Sequence, residues 1–117
     1  MKISTIIIFC LILLTPKVYA AELITKNYVI SITSNCEEGN VSCDDVTYIG
    51  THKKNGKSIR LKGSTWHTTC ADGVTPCQFV GYIFKNADTV YALYEKGLLE
   101  VSVKGKILLR EEGIWKY

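Results

Sequence analysis

The chain has 117 residues, 47% of them hydrophobic and 21% charged, with five cysteines, nine glycines and two prolines. Those proportions belong to a single globular domain and exclude collagenous, low-complexity and disordered classes. The formal charge of +3 includes Lys2 and Lys17 of an N-terminal apolar leader; without them 12 basic residues face 11 acidic ones, and a net +1 excludes a general nucleic-acid binder.

Residues 1–20 carry one early lysine, an apolar run from Ile6 to Leu14, the polar step Thr15-Pro16-Lys17 and the small-residue end Val18-Tyr19-Ala20. This is the layout of a secretory signal peptide. Nine apolar residues span only about half of a ~30 Å hydrocarbon core, so a membrane anchor is not expected. Residues 21–117 are then one exported domain, with no stable membrane insertion after cleavage.

Beyond the leader, no stretch carries a sustained helical apolar stripe, whereas short β-branched and aromatic runs alternate with Gly, Asn and Asp. Strands are predicted at 28–33, 46–51, 58–62, 78–84, 89–94, 98–103 and 106–110. Turns fall at 54–57, 85–88, 96–97 and 104–105, with Asn55-Gly56 the clearest hairpin signal. Residues 63–77 lack apolar alternation and read as a long loop. Seven short strands with hairpin-length connections predict an all-β domain, a small antiparallel barrel or sandwich.

Export leaves Cys36, Cys43, Cys70 and Cys77, an even set in an oxidising compartment. Both pairs enclose six residues and place an acidic residue and a glycine after the first cysteine. The matched spacing predicts local disulfides 36–43 and 70–77. Four thiols with His52 and His67 form the competing metal set, but the spacing is wider than in a zinc knuckle, and no metal or other cofactor is expected.

Chemistry-bearing residues are sparse. His67 with Asp72 or Ser64 is the best catalytic cluster that can be drawn, no nucleophile-elbow or metalloprotease motif is present, and a non-enzyme is expected. Charge is segregated: Glu37, Glu38, Asp44 and Asp45 precede a basic stretch of Lys53, Lys54, Lys57, Arg60 and Lys62. Either two solvated loops neutralise each other, or the basic hairpin steers an acidic partner or an anionic polymer. Tyr82, Phe84, Tyr91 and Tyr94 fall on two strands joined by the 85–88 turn; any of them pointing outward makes a rigid contact patch for a protein.

The segment 80–109 resembles the C-terminal half of the bacterial periplasmic inhibitors of c-type lysozyme, the membrane-bound lysozyme inhibitor family. The shared order is Val80-Gly81 where the family has Ser-Gly, the aromatic strand at Phe84, the step Leu93-Tyr94-Glu95-Lys96-Gly97 where the family has Phe-Trp-x-Lys-Gly, and the hairpin Gly105-Lys106. About 30 residues carry the likeness, and the family hydroxyl is replaced by Val80. More loosely, the chain looks like small secreted proteins of Gram-negative bacteria. The resemblance implies a small antiparallel barrel that places loop residues in an acidic cleft, with Lys96 as the inserted cation and Gly97, Tyr94 and Phe84 around it. The function expected is that of a periplasmic or secreted binding protein, an inhibitor of lysozyme or another cell-wall hydrolase. The alternative is an immunity protein or interaction factor that neutralises another exported protein.

Overall fold

A computed structural model describes residues 19–37 and 39–117. The eight strands are β1 (Tyr19–Thr25), β2 (Tyr28–Ser34), β3 (Val46–His52), β4 (Ser58–Thr69), β5 (Pro76–Asn86), β6 (Thr89–Tyr94), β7 (Leu98–Val103) and β8 (Lys106–Lys116). Each pairs antiparallel with the next, and β8 returns to β1, closing a barrel in strict chain order. Closure removes the two free edges that an open meander of this length would leave.

Alternation sets the interior. Leu23, Ile30, Ile32, Val46, Tyr48, Leu61, Tyr82, Phe84, Leu93 and Leu99 meet in one buried cluster, each from the inward-facing set of its strand. Their outward neighbours, such as Glu22, Arg60 and Lys62, are exposed. Tyr48 joins the two halves of the barrel, its ring lying 5.1 Å from Phe84 and 5.6 Å from Tyr91. Offset aromatic contacts of this kind add about 0.5 to 1.5 kcal/mol each beyond area burial.

Three features depart from the sequence reading. First, β1 is an eighth strand: Ala21, Leu23 and Thr25 are buried, and Glu22–Thr25 pair with Gly113–Lys116 to close the barrel. Residues 1–18 of the expected signal peptide 1–20 lie outside the described residues, and Tyr19 and Ala20 open β1 opposite Ser34 and Thr33. Cleavage after Ala20 would shorten β1 by two residues and leave the closing register, which starts at Glu22, intact.

Second, residues 63–69 and 76–77, expected in a loop, belong to β4 and β5. Their ladder is regular from Gly63 to Trp66, where the inward positions opposite Phe84 and Tyr82 are Gly63 and Thr65, so no large apolar residue marks the period of two. Beyond Trp66 the register shifts before His67 and again before Thr69, each time with one extra residue in β5, which breaks the alternation of that strand. Only the hairpin tip at 70–75 is loop.

Third, β8 runs on to Lys116 through Glu111-Glu112-Gly113. Gly113 permits the closing contact with β1, since a Cβ there would stand 2.7 Å from the Ile24 carbonyl oxygen.

Both disulfides are present as local bridges, Cys36–Cys43 with Cα atoms 5.7 Å apart and Cys70–Cys77 with Cα atoms 5.0 Å apart. They indicate an oxidising, extracytoplasmic compartment. In an up-and-down barrel successive connections alternate between ends. The loops 35–45 and 70–75 and the 95–97 turn therefore share one end, the disulfide end. The basic 53–57 turn and the 87–88 and 104–105 turns occupy the other.

Candidate binding surface at the disulfide end

The Lys96-Gly97 turn is fixed by backbone bonds from three directions. Gly97 N donates to the Tyr94 carbonyl at 2.9 Å, Glu95 N to the Val80 carbonyl at 2.8 Å, and Gly113 N to the Gly97 carbonyl at 3.0 Å. The Trp115 indole Nε1 adds a fourth bond, to the Tyr94 carbonyl at 3.1 Å. Gly97 has φ +97°, and a Cβ on it would overlap the Gly113 carbonyl, so the turn requires glycine both for its conformation and for the close approach of β8.

Lys96 is exposed, and its Nζ lies 5.5 Å from the centroid of the Tyr94 ring. Tyr94 points away from the core, opposite its buried neighbour Leu93, and its ring meets Trp66 edge-on at 5.3 Å. The register places Gly81 between Trp66 and Tyr94, so no side chain separates the two rings. Beyond Tyr94 its hydroxyl donates to Glu100 Oε1 at 3.4 Å, and Arg110 Nε lies 3.7 Å from Glu100 Oε2. Burial first, and then the Glu100 charge, push the Tyr94 hydroxyl above its ordinary pKa. A groove of about 580 Å³ runs alongside, lined by Lys96, Gly97, Leu98, Arg110, Glu112 and Gly113. The outer wall at this end is thus an aromatic shelf carrying one lysine and one ion-paired arginine.

The structure sorts the expected site residues. Tyr94 and Lys96 come together at the surface, with Gly97 buried beneath them against β8, and Val80 accepts the Glu95 amide through its carbonyl. Phe84 is fully buried beneath Tyr48 and Tyr82 and supports the barrel instead of meeting a partner. Its separation from Tyr82 by two residues puts both rings inside, whereas Tyr91 and Tyr94, three apart, fall on opposite faces. Trp66 and Glu95 were not anticipated as site residues. The first follows the small and polar run Gly63-Ser64-Thr65, which hides the strand, and only the turn geometry places the second.

The other sequence candidates resolve differently. Asp72 is committed to its own loop, accepting the amides of Val74 and Thr75 at 2.9 Å each as well as the Thr75 hydroxyl. These bonds, the Thr75 side chain foremost, hold its carboxyl down at about 2. The His67 ring packs on Phe79 at 5.4 Å. His52 packs on Tyr28 at the opposite end of the barrel, and all four cysteines considered as metal ligands are bonded as disulfides. Of the segregated charges, Lys62 reaches Asp45 at 3.0 Å, while Lys53, Lys54 and Lys57 stay exposed at the far end. Steering by that turn would act away from Lys96.

No family model, curated protein or solved structure matches this chain.

Proposed function

We propose that this is a periplasmic or secreted binding protein that inhibits a cell-wall hydrolase such as lysozyme by presenting Lys96 to an acidic cleft. One observation carries the reading: an exposed lysine sits on a turn whose backbone is bonded to β5, β6 and β8 at once. Such a turn loses little backbone conformational entropy on meeting a partner, because the fold has already ordered it. Glycosidase clefts are lined by a pair of carboxyl groups, one held protonated and one ionised, so a lysine ammonium entering there is charge-complementary and occludes both. Exclusion of water on docking strengthens the pair. The stacked Trp66 and Tyr94 beside it supply the rigid aromatic area that interface centres favour.

The two disulfides support the exported setting, and the barrel supports the binding mode, since every strand edge beside the turn is paired. With Val80 in place of a hydroxyl, the contact relies on Lys96 and its aromatic surroundings. Turbidity assays with the purified mature domain against c-type, g-type and i-type lysozymes test the proposal. Inhibition of one class, weakened by Lys96→Ala with unchanged circular dichroism, is the expected result. If micromolar protein leaves all three classes fully active, the inhibitor reading falls, and neutralisation of another exported protein takes its place.

A further inference from the structure

The mouth of the barrel at the disulfide end holds a second recess, distinct from the outer groove beside Lys96. Phe79, Tyr82, Glu95, Trp115 and Tyr117 line a cavity of about 240 Å³. Its walls are a chain of rings at changing angles. Phe79 and Tyr82 meet at 5.3 Å and 76°, Tyr82 and Trp115 at 6.1 Å and 58°, and Trp115 and Tyr117 at 6.3 Å and 21°. A sheet's core would bury such rings completely. Here Phe79 and Trp115 remain only half-buried and Tyr117 is exposed, so part of the aromatic surface faces the open recess.

Charge gives the recess a sign. Glu95 and Lys96 are consecutive at the end of β6 and diverge: the lysine ammonium lies against Tyr94 on the outer wall, whereas Glu95 lines the recess. Lys116, between Trp115 and Tyr117, does not line the recess; it lines a separate groove with Ala20, Glu22 and Tyr117, and Tyr117 stands between the two. Among the described residues that line the recess, Glu95 is the one with an acidic or basic side chain besides the two tyrosines, and no ion pair within 4 Å neutralises it among the described residues. Aromatic faces carry negative potential, and a carboxylate beside several of them makes a site for a cation that is weakly hydrated enough to leave water. Alkylammonium and guanidinium groups have that chemistry; inorganic anions and neutral sugars do not.

We infer that the recess bounded by Phe79, Tyr82, Trp115, Tyr117 and Glu95 is an aromatic cage that binds an organic cation, a quaternary ammonium or the guanidinium of an arginine side chain. The ligand's charge faces the Glu95 carboxylate and its apolar groups meet the rings. Trp115 is held in place by its bond to the Tyr94 carbonyl, so the wall is formed before the ligand arrives. Because this site lies inside the mouth and Lys96 outside it, the inference goes beyond the hydrolase reading and does not depend on it.

Trp115 fluorescence and amide chemical shifts of the intact mature domain provide the test, with choline and N-acetylarginine amide as probes and the neutral carbon isostere of choline as control. The expected result is saturable binding of at least one cation, with shifts centred on residues 79, 95 and 115, and none for the neutral isostere. Choline binding alone assigns a small quaternary ammonium ligand, and arginine amide binding alone a protein side chain. Glu95→Gln and Tyr117→Ala alter exposed groups and should each weaken binding about threefold to thirtyfold, while Lys104→Ala at the opposite end leaves it unchanged. Absence of binding by both cations, equal binding of the neutral isostere, or binding insensitive to both cage variants overturns the inference. Since no hydrolase enters the assay, its outcome is independent of the lysozyme test.

Discussion

The amide of Gly113 donates to the carbonyl of Gly97 at 3.0 Å, joining the strand that closes the barrel to the turn that carries Lys96. Closure and presentation of the candidate site are therefore one structural event. Gly97→Ala should break both, because it sets a Cβ against the Gly113 carbonyl at φ +97°. Gly105, at φ +80° in the β7–β8 turn, has open space where its Cβ would be. Urea denaturation should show Gly105→Ala costing about 1 kcal/mol, the left-handed strain alone, and Gly97→Ala costing about 3 kcal/mol or failing to fold. Equal costs would mean that the Gly97–Gly113 approach is not tight.

Non-reducing peptide mapping of the exported protein should recover the pairs 36–43 and 70–77. Replacing Cys70 and Cys77 together by alanine should lower stability by about 2 to 3 kcal/mol, as loop-closure entropy predicts for a short ring. Cross-linked peptides joining the two loops would contradict the fold as described.

Glu111 ties β8 to the β1–β2 turn. Its Oε1 accepts from the Thr25 hydroxyl at 2.9 Å and the Asn27 amide at 3.1 Å, and its Oε2 accepts from Asn27 Nδ2 at 2.8 Å. Burial alone would raise this carboxyl, but the Asn27 and Thr25 bonds outweigh it and hold the pKa below its ordinary value. Glu111→Ala removes both acceptor oxygens and their three hydrogen bonds from a turn whose Thr25 is buried, and a loss of about 1 to 3 kcal/mol is expected by chemical denaturation. A neutral effect would show that the ladder closes the barrel without this clasp.

Acid should loosen the second disulfide loop in a definite window. The Asp72 carboxyl titrates at about 2 in the fold against 3.8 in the unfolded chain, so its contribution is present above pH 4 and is lost as pH falls toward 2. Amide exchange or chemical-shift titration of Val74 and Thr75 should follow that loss, and Asp72→Asn should remove the dependence. A midpoint near 4 for wild-type Asp72 would refute the bonded geometry.

The disulfide pairs, the all-β class and the spans of β6 and β7 follow from the sequence by itself, because cysteine spacing and the strand period of two are local properties. The same period put Tyr91 and Tyr94 on opposite faces of β6. A local pattern does not say which face is inside, nor which distant strand will cover it. Phe84 thus proved to be core while Tyr94 became surface, and β1 became a strand only through Glu22–Thr25 meeting Gly113–Lys116 from the far end of the chain. Small and polar inward residues, Gly63 and Thr65, masked the alternation of β4, so Trp66 emerged beside Tyr94 only from three-dimensional pairing. The placement of Glu95 inside the mouth and Lys96 outside it depends on where β6 ends relative to β5 and β8. Tertiary structure alone decided that, since closing the barrel gives those two neighbouring side chains different environments.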